Sequence, residues 1–266
     1  MKKILALLLA AVMCLSLCAC RGESDNKAIA GEWKAVSCDA SAVFHEDGSG
    51  ALSGTFIPGC NFTWKYDKDL KCYVIAAAQT MNATINTINE IEYISLYGGI
   101  QFFRVENYDQ AIQIVVNNRE DEIANLIDGK TKLELGVAYD LGNDLSVVYN
   151  VIPVNEGERF DLILETAVSN NGTSEIQYMS SLPASYTAKY YLYDAPNGTT
   201  SNGGMGWSGQ SNARAGETVV ISNSLITKNA ADVEKALDVF GKVIGAFCFE
   251  MNGTEYYIDL SDYIKK

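Results

Sequence analysis

Cys60-Asn61-Phe62-Thr63-Trp64-Lys65-Tyr66, the polar triplet Asp67-Lys68-Asp69 and the return run Cys72-Tyr73-Val74-Ile75 form the stretch that decides the fold. Apolar and polar residues alternate through the first run, the period of a strand buried on one face. The triplet makes the loop, and the second run comes back alongside. Outward from this hairpin the same logic repeats. Gly31-Glu32-Trp33-Lys34-Ala35-Val36 alternates from Trp33, and Ala42-Val43-Phe44 runs into Glu46-Asp47-Gly48-Ser49-Gly50, an acidic-glycine turn. Strands are also expected over Ala83 to Ile88, Ile91 to Leu96 and Ile100 to Val105, the last two divided by Gly98-Gly99. So many short strands at short spacing predict an antiparallel sheet that curls or closes, because closure removes exposed edges.

Glu120 to Leu126 reads as a helical turn or two, stopped by Asp128-Gly129. Beyond it, strands are expected over Asp144 to Val151, Arg159 to Val168, Ala188 to Tyr193 and Thr218 to Ile221, with a Gly/Ser/Asn-rich loop from Asn197 to Gln210. One helix follows: Ala231, Val233, Ala236, Leu237, Phe240, Val243 and Ile244 approximate helical spacing behind Asn229 as the cap. A hairpin ends the chain, from Ala246 through the Asn252-Gly253 turn to Leu260.

Composition narrows the function. The 266 residues carry a formal charge of −13, with 48% hydrophobic residues, 15 Tyr and 9 Phe. That is enough apolar material for a core, and the acidic surface repels nucleic acid and anionic head groups. Cys38, Cys60, Cys72 and Cys248 show no CxxC or Cys/His zinc spacing. Either a single bridge within the first half or plain buried thiols fits them.

The first twenty residues concern location. Lys2-Lys3 precede an uncharged, mostly apolar run from Ile4 to Leu17, short for a membrane span and suited to a signal peptide. Leu17-Cys18-Ala19-Cys20 follows and resembles a lipobox. That resemblance implies a diacylglyceryl group on the Cys20 thiol and cleavage ahead of it. Two acyl chains suffice for stable anchoring where one does not. Arg21 to Lys27 is polar and unpatterned, as a tether would be.

Two further resemblances concern the folded halves. Gly31-x-Trp33 on the first strand, with Arg104 in Phe102-Phe103-Arg104-Val105 on the last, is similar to the lipocalin-like pattern over residues 28 to 106. In that family the tryptophan plugs one barrel end and the arginine lies across it, a structural cation–π pair. Residues 130 to 260 resemble the immunoglobulin-like (telokin-like) domain of Gram-positive surface lipoproteins of unknown function. The resemblance rests on Ala167-Val168-Ser169-Asn170-Asn171-Gly172 and Arg214-Ala215-Gly216-Glu217-Thr218. The expected fold is therefore mainly β: a small lipocalin-like antiparallel barrel or sandwich, then an immunoglobulin-like β-sandwich with one helix. The expected division is a signal peptide over 1–19, a lipidated cysteine and tether over 20–27, a β domain over 28–118, a linker over 119–129 and a second β domain over 130–266.

Reactive chemistry is sparse. His45 is the single histidine and sits beside a turn, and no GxSxG elbow occurs. Carboxylates are plentiful, yet nothing selects an acid/base pair from them. Asp47-Gly48-Ser49-Gly50 and Asp140-Leu141-Gly142-Asn143-Asp144 hold oxygens, but neither follows the calcium-loop pattern. The Gly-rich loop lacks the Lys-Ser/Thr ending of a phosphate loop. Its Trp207 is the one candidate recognition residue, either stacking on a sugar or protein partner or folding back as a plug. No catalytic residue, metal or cofactor is expected. The chain reads as a non-enzymatic binding module on the outer face of the cytoplasmic membrane. Its expected partners are the membrane, through the Cys20 lipid, and a surface glycan or protein. A carrier of a small apolar ligand in the first barrel is the second reading, and an envelope hydrolase acting on carbohydrate the third.

Overall fold

The computed structural model describes residues 27–54, 59–97, 99–195, 197–207 and 210–266. The lipobox-like segment Leu17–Cys20 lies outside them. The protein is mainly β and divides into two compact units, one through Ala111 and the other from Ile112.

The first unit is a single nine-stranded antiparallel sheet. Its strands are β1 (Gly31–Ala35), β2 (Ala40–Phe44), β3 (Ser49–Gly54), β4 (Cys60–Asp67), β5 (Cys72–Ala76), β6 (Thr80–Ala83), β7 (Ile85–Ile88), β8 (Ile91–Leu96) and β9 (Ile100–Arg104). Strands adjacent in sequence pair with one another except β6 and β7, and β1 also pairs with β9, so the order runs β6-β5-β4-β3-β2-β1-β9-β8-β7. The two outermost strands, β6 and β7, are separated in sequence by Thr84 alone. One interrupted strand thus pairs with β5 through its first half and with β8 through its second, which curls the sheet into a nearly closed barrel. Closure of this kind leaves little unpaired edge.

Alternation places one face of most of these strands inside. Trp33, Ala35, Ala42, Phe44, Leu52, Phe62, Trp64, Tyr73, Ile75, Ile94, Leu96 and Phe102 form one buried cluster. Its rings meet edge to face: Phe44–Phe62 at 5.0 Å, Phe44–Trp64 at 5.9 Å and Trp64–Tyr73 at 5.8 Å. Such contacts stabilise beyond simple burial. Strand β3 was not anticipated, because Ser49-Gly50-Ala51 carries little strand signal. Gly50 stands where a Cβ would lie 2.3 Å from the Phe62 ring and 2.5 Å from the Val43 carbonyl. The barrel wall accepts no side chain there.

The expected helical turn over Glu120 to Leu126 is in fact a twenty-residue helix, α1 (Tyr108–Ile127). It begins before the division at Ala111 and continues into the second unit. Ala111, Val115, Arg119 and Ile123 are buried at every fourth position, so an arginine occupies the stripe that faces the protein. That charge hid the helix from a reading based on apolar spacing.

The second unit holds two main sheets. One has the order β10 (Thr131–Lys132), β20 (Thr254–Asp259), β19 (Ile244–Met251), β15 (Ser185–Tyr191), β16 (Thr199–Gly204). The other is β11 (Ala138–Gly142), β12 (Leu145–Glu156), β13 (Arg159–Asn170), β18 (Thr218–Asn229), and a small pair joins β14 (Ile176–Gln177) to β17 (Asn212–Ala213). The sheets meet through Tyr149 and Phe249, whose rings are 5.7 Å apart, and the Tyr149 hydroxyl donates to Met251 Sδ at 3.4 Å. Burial pushes the Tyr149 phenol well above its usual range.

Two expectations need correction here. The loop from Asn197 to Gln210 contains a real strand, β16, whose Gly203-Gly204 ending masks its character. Val243 and Ile244 do not belong to the helix: α2 (Ala230–Phe240) stops at Gly241, which takes the left-handed cap conformation, and Ile244 opens β19. Its start is as read, with the Asn229 side chain accepting from the Ala231 N–H at 3.0 Å. With α1, the described residues therefore hold two α-helices where one was expected.

Candidate functional site

Trp33 and Arg104 are direct partners across β1 and β9. Trp33 is fully buried, and its indole N–H donates to the Ile29 carbonyl at 2.8 Å. The Arg104 guanidinium lies over the indole, 4.3 Å from the ring centroid. It donates to the Ala30 carbonyl at 3.0 Å, to the Ala28 carbonyl, and through Nε to Glu92 at 2.9 Å. Gly31 is required between them: its φ is +129°, and a Cβ there would meet Arg104 Nη1 at 2.9 Å. Every part of this constellation serves to fasten the chain entering β1 across the barrel end.

His45 is exposed just beyond β2, where its backbone closes the turn by bonding to Ser49 and Gly48. The Asp47 carboxylate accepts from the Ser49 hydroxyl at 2.6 Å and its N–H at 2.9 Å, and these bonds hold its pKa below the ordinary carboxylate value. Asp140 likewise accepts from the Gly142 N–H at 2.8 Å. Both acidic turns thus direct a carboxylate at their own backbone. Among the described residues no group of three or more His, Cys, Asp or Glu side chains is placed to hold a metal ion. Cys60, Cys72 and Cys248 are free thiols, and burial pushes that of Cys248 up to about 11.

Trp207 is half-buried just beyond the end of β16, and its indole N–H donates to the Pro183 carbonyl at 2.8 Å. One edge of the ring is thereby held by the fold while the residue keeps some access to solvent. The other two tryptophans, Trp33 and Trp64, are 0% and 6% exposed. Trp207→Phe is therefore expected to remove the emission that acrylamide quenches, leaving a blue, quencher-resistant spectrum. Unchanged quenching would mean that Trp207 is shielded like the others.

The densest gathering of charge escaped the sequence reading. On the face of β15 opposite the Tyr149–Phe249 core, Glu122 of α1 accepts hydrogen bonds from Lys189 and from the Tyr191 hydroxyl. These two donors, Lys189 first, draw the Glu122 pKa down. Two residues back along α1, Glu120 pairs with Lys242. Between them Arg119, 4% exposed, lies 4.8 Å from the Tyr191 centroid and 4.6 Å from that of Phe240. Its Nη1 and Nη2 are buried without a hydrogen-bond partner. Burial lowers its pKa to about 10, which still leaves it charged at neutral pH. The cluster's ion pairs tie a helix to a sheet, and no sequence motif announces them because their members are up to about 120 residues apart.

A cleft of about 500 Å³ opens elsewhere in the second unit, between the β12–β13 turn, α2 and the chain end, with Phe160, Val233, Leu237 and Tyr263 among its walls.

No described protein family and no curated protein sequence matches the chain. Among solved structures, an uncharacterized β-sandwich protein from Clostridium difficile 630 is similar over 49% of this chain and 94% of its own length, at 11% identity and a TM-score of 0.31.

Proposed function

We propose that this chain is a surface lipoprotein of Gram-positive type, anchored by a lipid on Cys20 to the outer face of the cytoplasmic membrane, and that it acts there as a non-enzymatic binding module. The observation that carries the reading is Leu17-Cys18-Ala19-Cys20, set behind a basic start and an apolar run and ahead of a polar tether. Its first unit is taken as a lipocalin-like barrel and its second as an immunoglobulin-like domain.

A binding role draws support from the way the ionisable groups are engaged. Glu120, Glu122 and Glu92 each pair with a lysine or arginine that ties one segment to another. Trp207, held by Pro183 and partly open to solvent, is the proposed contact for a surface glycan or protein. The carrier reading draws less support, since Trp33, Phe44, Phe62, Trp64 and Tyr73 themselves occupy the barrel interior.

The anchor is tested by Cys20→Ser expressed in a Gram-positive host. The variant is expected to lose the acyl-dependent shift into the detergent phase and to appear in the medium. Retention on the membrane with the serine in place would sink the proposal. Surface glycans added to the wild type should change the Trp207 emission and leave that of Trp207→Phe unaltered, whereas equal responses would remove Trp207 from the contact.

A further inference from the structure

We infer that the first half of β18 is the edge through which two copies of this chain pair, strand to strand and antiparallel about Val220. An outermost strand presents a row of unpaired N–H and C=O groups that only another extended backbone satisfies fully, and proteins normally blunt such edges. The second unit blunts three of the four outer strands of its two main sheets. β10 is two residues long and includes Lys132; β11 has five residues, an acid and a register break at Asp140; β16 ends in Gly203-Gly204. β18 is different. It runs for twelve residues without proline, and its ladder to β13 stays regular from Thr218 to Ser224, where a bulge begins. Thr218-Val219-Val220-Ile221-Ser222-Asn223-Ser224 contains no ionisable group and opens with a run of β-branched residues.

The apolar surface points the same way. Val137, Ile152 and Val220 are the large hydrophobic side chains exposed in the second unit among the described residues, at 44%, 37% and 57%. All three lie on the four-stranded sheet or at its entry. Across its outer face Ala138, Val148, Ala167 and Val220 stand in one cross-strand row, which ends abruptly at the β18 edge. A two-fold axis at Val220 continues that row into the second copy.

Self-complementarity selects a second copy as the occupant. With Val220 opposite Val220, Thr218 faces Ser222 and Val219 faces Ile221, so hydroxyl meets hydroxyl and apolar meets apolar on the correct faces. Glu217, just outside the strand, turns its carboxylate back to the Arg214 N–H at 2.7 Å and away from the edge. Two chains of charge −13 repel one another generally, and this edge lets them meet where neither presents a carboxylate. Five residues of strand pairing, Thr218 to Ser222, bury less than the ~800 Å² per partner of a standard interface. The association is therefore weak and exchanging, and cross-linking reads it better than size.

The full-length chain carrying Val220→Cys, treated with a mild copper oxidant at micromolar concentration, is expected to give a disulfide-linked dimer well above the wild-type baseline. The wild type matters because it keeps its own thiols. Thr218→Cys serves as the collision control: in the proposed register its two copies are roughly 14 Å apart at about 3.4 Å per residue, too far for a disulfide. The double variant Thr218→Cys/Ser222→Cys should cross-link, and adding Val220→Lys, on an exposed face that tolerates it, should abolish this. The inference is overturned if Val220→Cys stays monomeric, or if Thr218→Cys alone cross-links as readily.

Discussion

Trp33→Ala is expected to cost about 3–5 kcal/mol, the range for removing a large buried aromatic, and so to consume much of the ~5–15 kcal/mol that typically holds a domain together. The side chain is fully buried among the interior residues of the barrel and supports three things at once. It fills the interior volume behind β1, it satisfies the Ile29 carbonyl, and it is the platform under Arg104. Deleting it leaves a void, an orphaned acceptor and a guanidinium without its ring. Arg104→Ala removes the cap but leaves the plug. Its loss is limited to the cation–π contact, of order 0.5–2 kcal/mol, and hydrogen bonds worth ~1–3 kcal/mol for a charged donor. Trp33→Phe keeps most of the volume and should cost least. The expected order of urea midpoints is wild type, Trp33→Phe, Arg104→Ala, Trp33→Ala, with proteolysis of the last variant falling before Ala111. Equal midpoints for the two alanine variants would show that the barrel end is held by the arginine rather than by the indole.

Much of this architecture was readable because side-chain alternation is a direct image of a sheet with one dry face. Cys60 to Tyr66 and the return at Cys72 became β4 and β5, with Trp64 opposite Ile75. Gly31-x-Trp33 was readable for a different reason: the glycine is dictated by the arginine that passes over it. The failures are equally physical. β3 and β16 carry Gly and Ser where packing leaves no room or needs no bulk, so their tertiary setting rather than their own propensity makes them strands. Closure of the barrel was expected, but its means was not, since a single residue, Thr84, divides the strand that serves both edges. The ionic cluster on α1 was invisible because its contacts are long-range, and because Arg119 stands at a position that apolar spacing assigns to a hydrophobe.

Arg119 supplies the second large effect, and the expected direction is counter-intuitive. Arg119→Met should stabilise the protein, raising its midpoint by an amount equivalent to about 1–3 kcal/mol. The native guanidinium gains from the rings of Tyr191 and Phe240, roughly 0.5–2 kcal/mol for a desolvated cation–π contact. Against this stand Nη1 and Nη2, buried and unbonded, each a cost of ~1–3 kcal/mol, together with the removal of a full charge from water. Replacing buried ionic groups with apolar residues of similar volume is often neutral or stabilising by ~1–4 kcal/mol. Methionine keeps the unbranched stem and offers sulfur to the same two rings. Arg119→Ala must behave oppositely, because it leaves a cavity between Tyr191 and Phe240, and a loss of about 2 kcal/mol or more is expected. The sign for methionine rests on a balance among desolvation, unpaired donors and ring contacts, while the sign for alanine rests on volume alone. Measuring both therefore separates charge from packing. A methionine variant as unstable as the alanine variant would show that the guanidinium between the rings is a net source of stability, and that the helix is held by its cation.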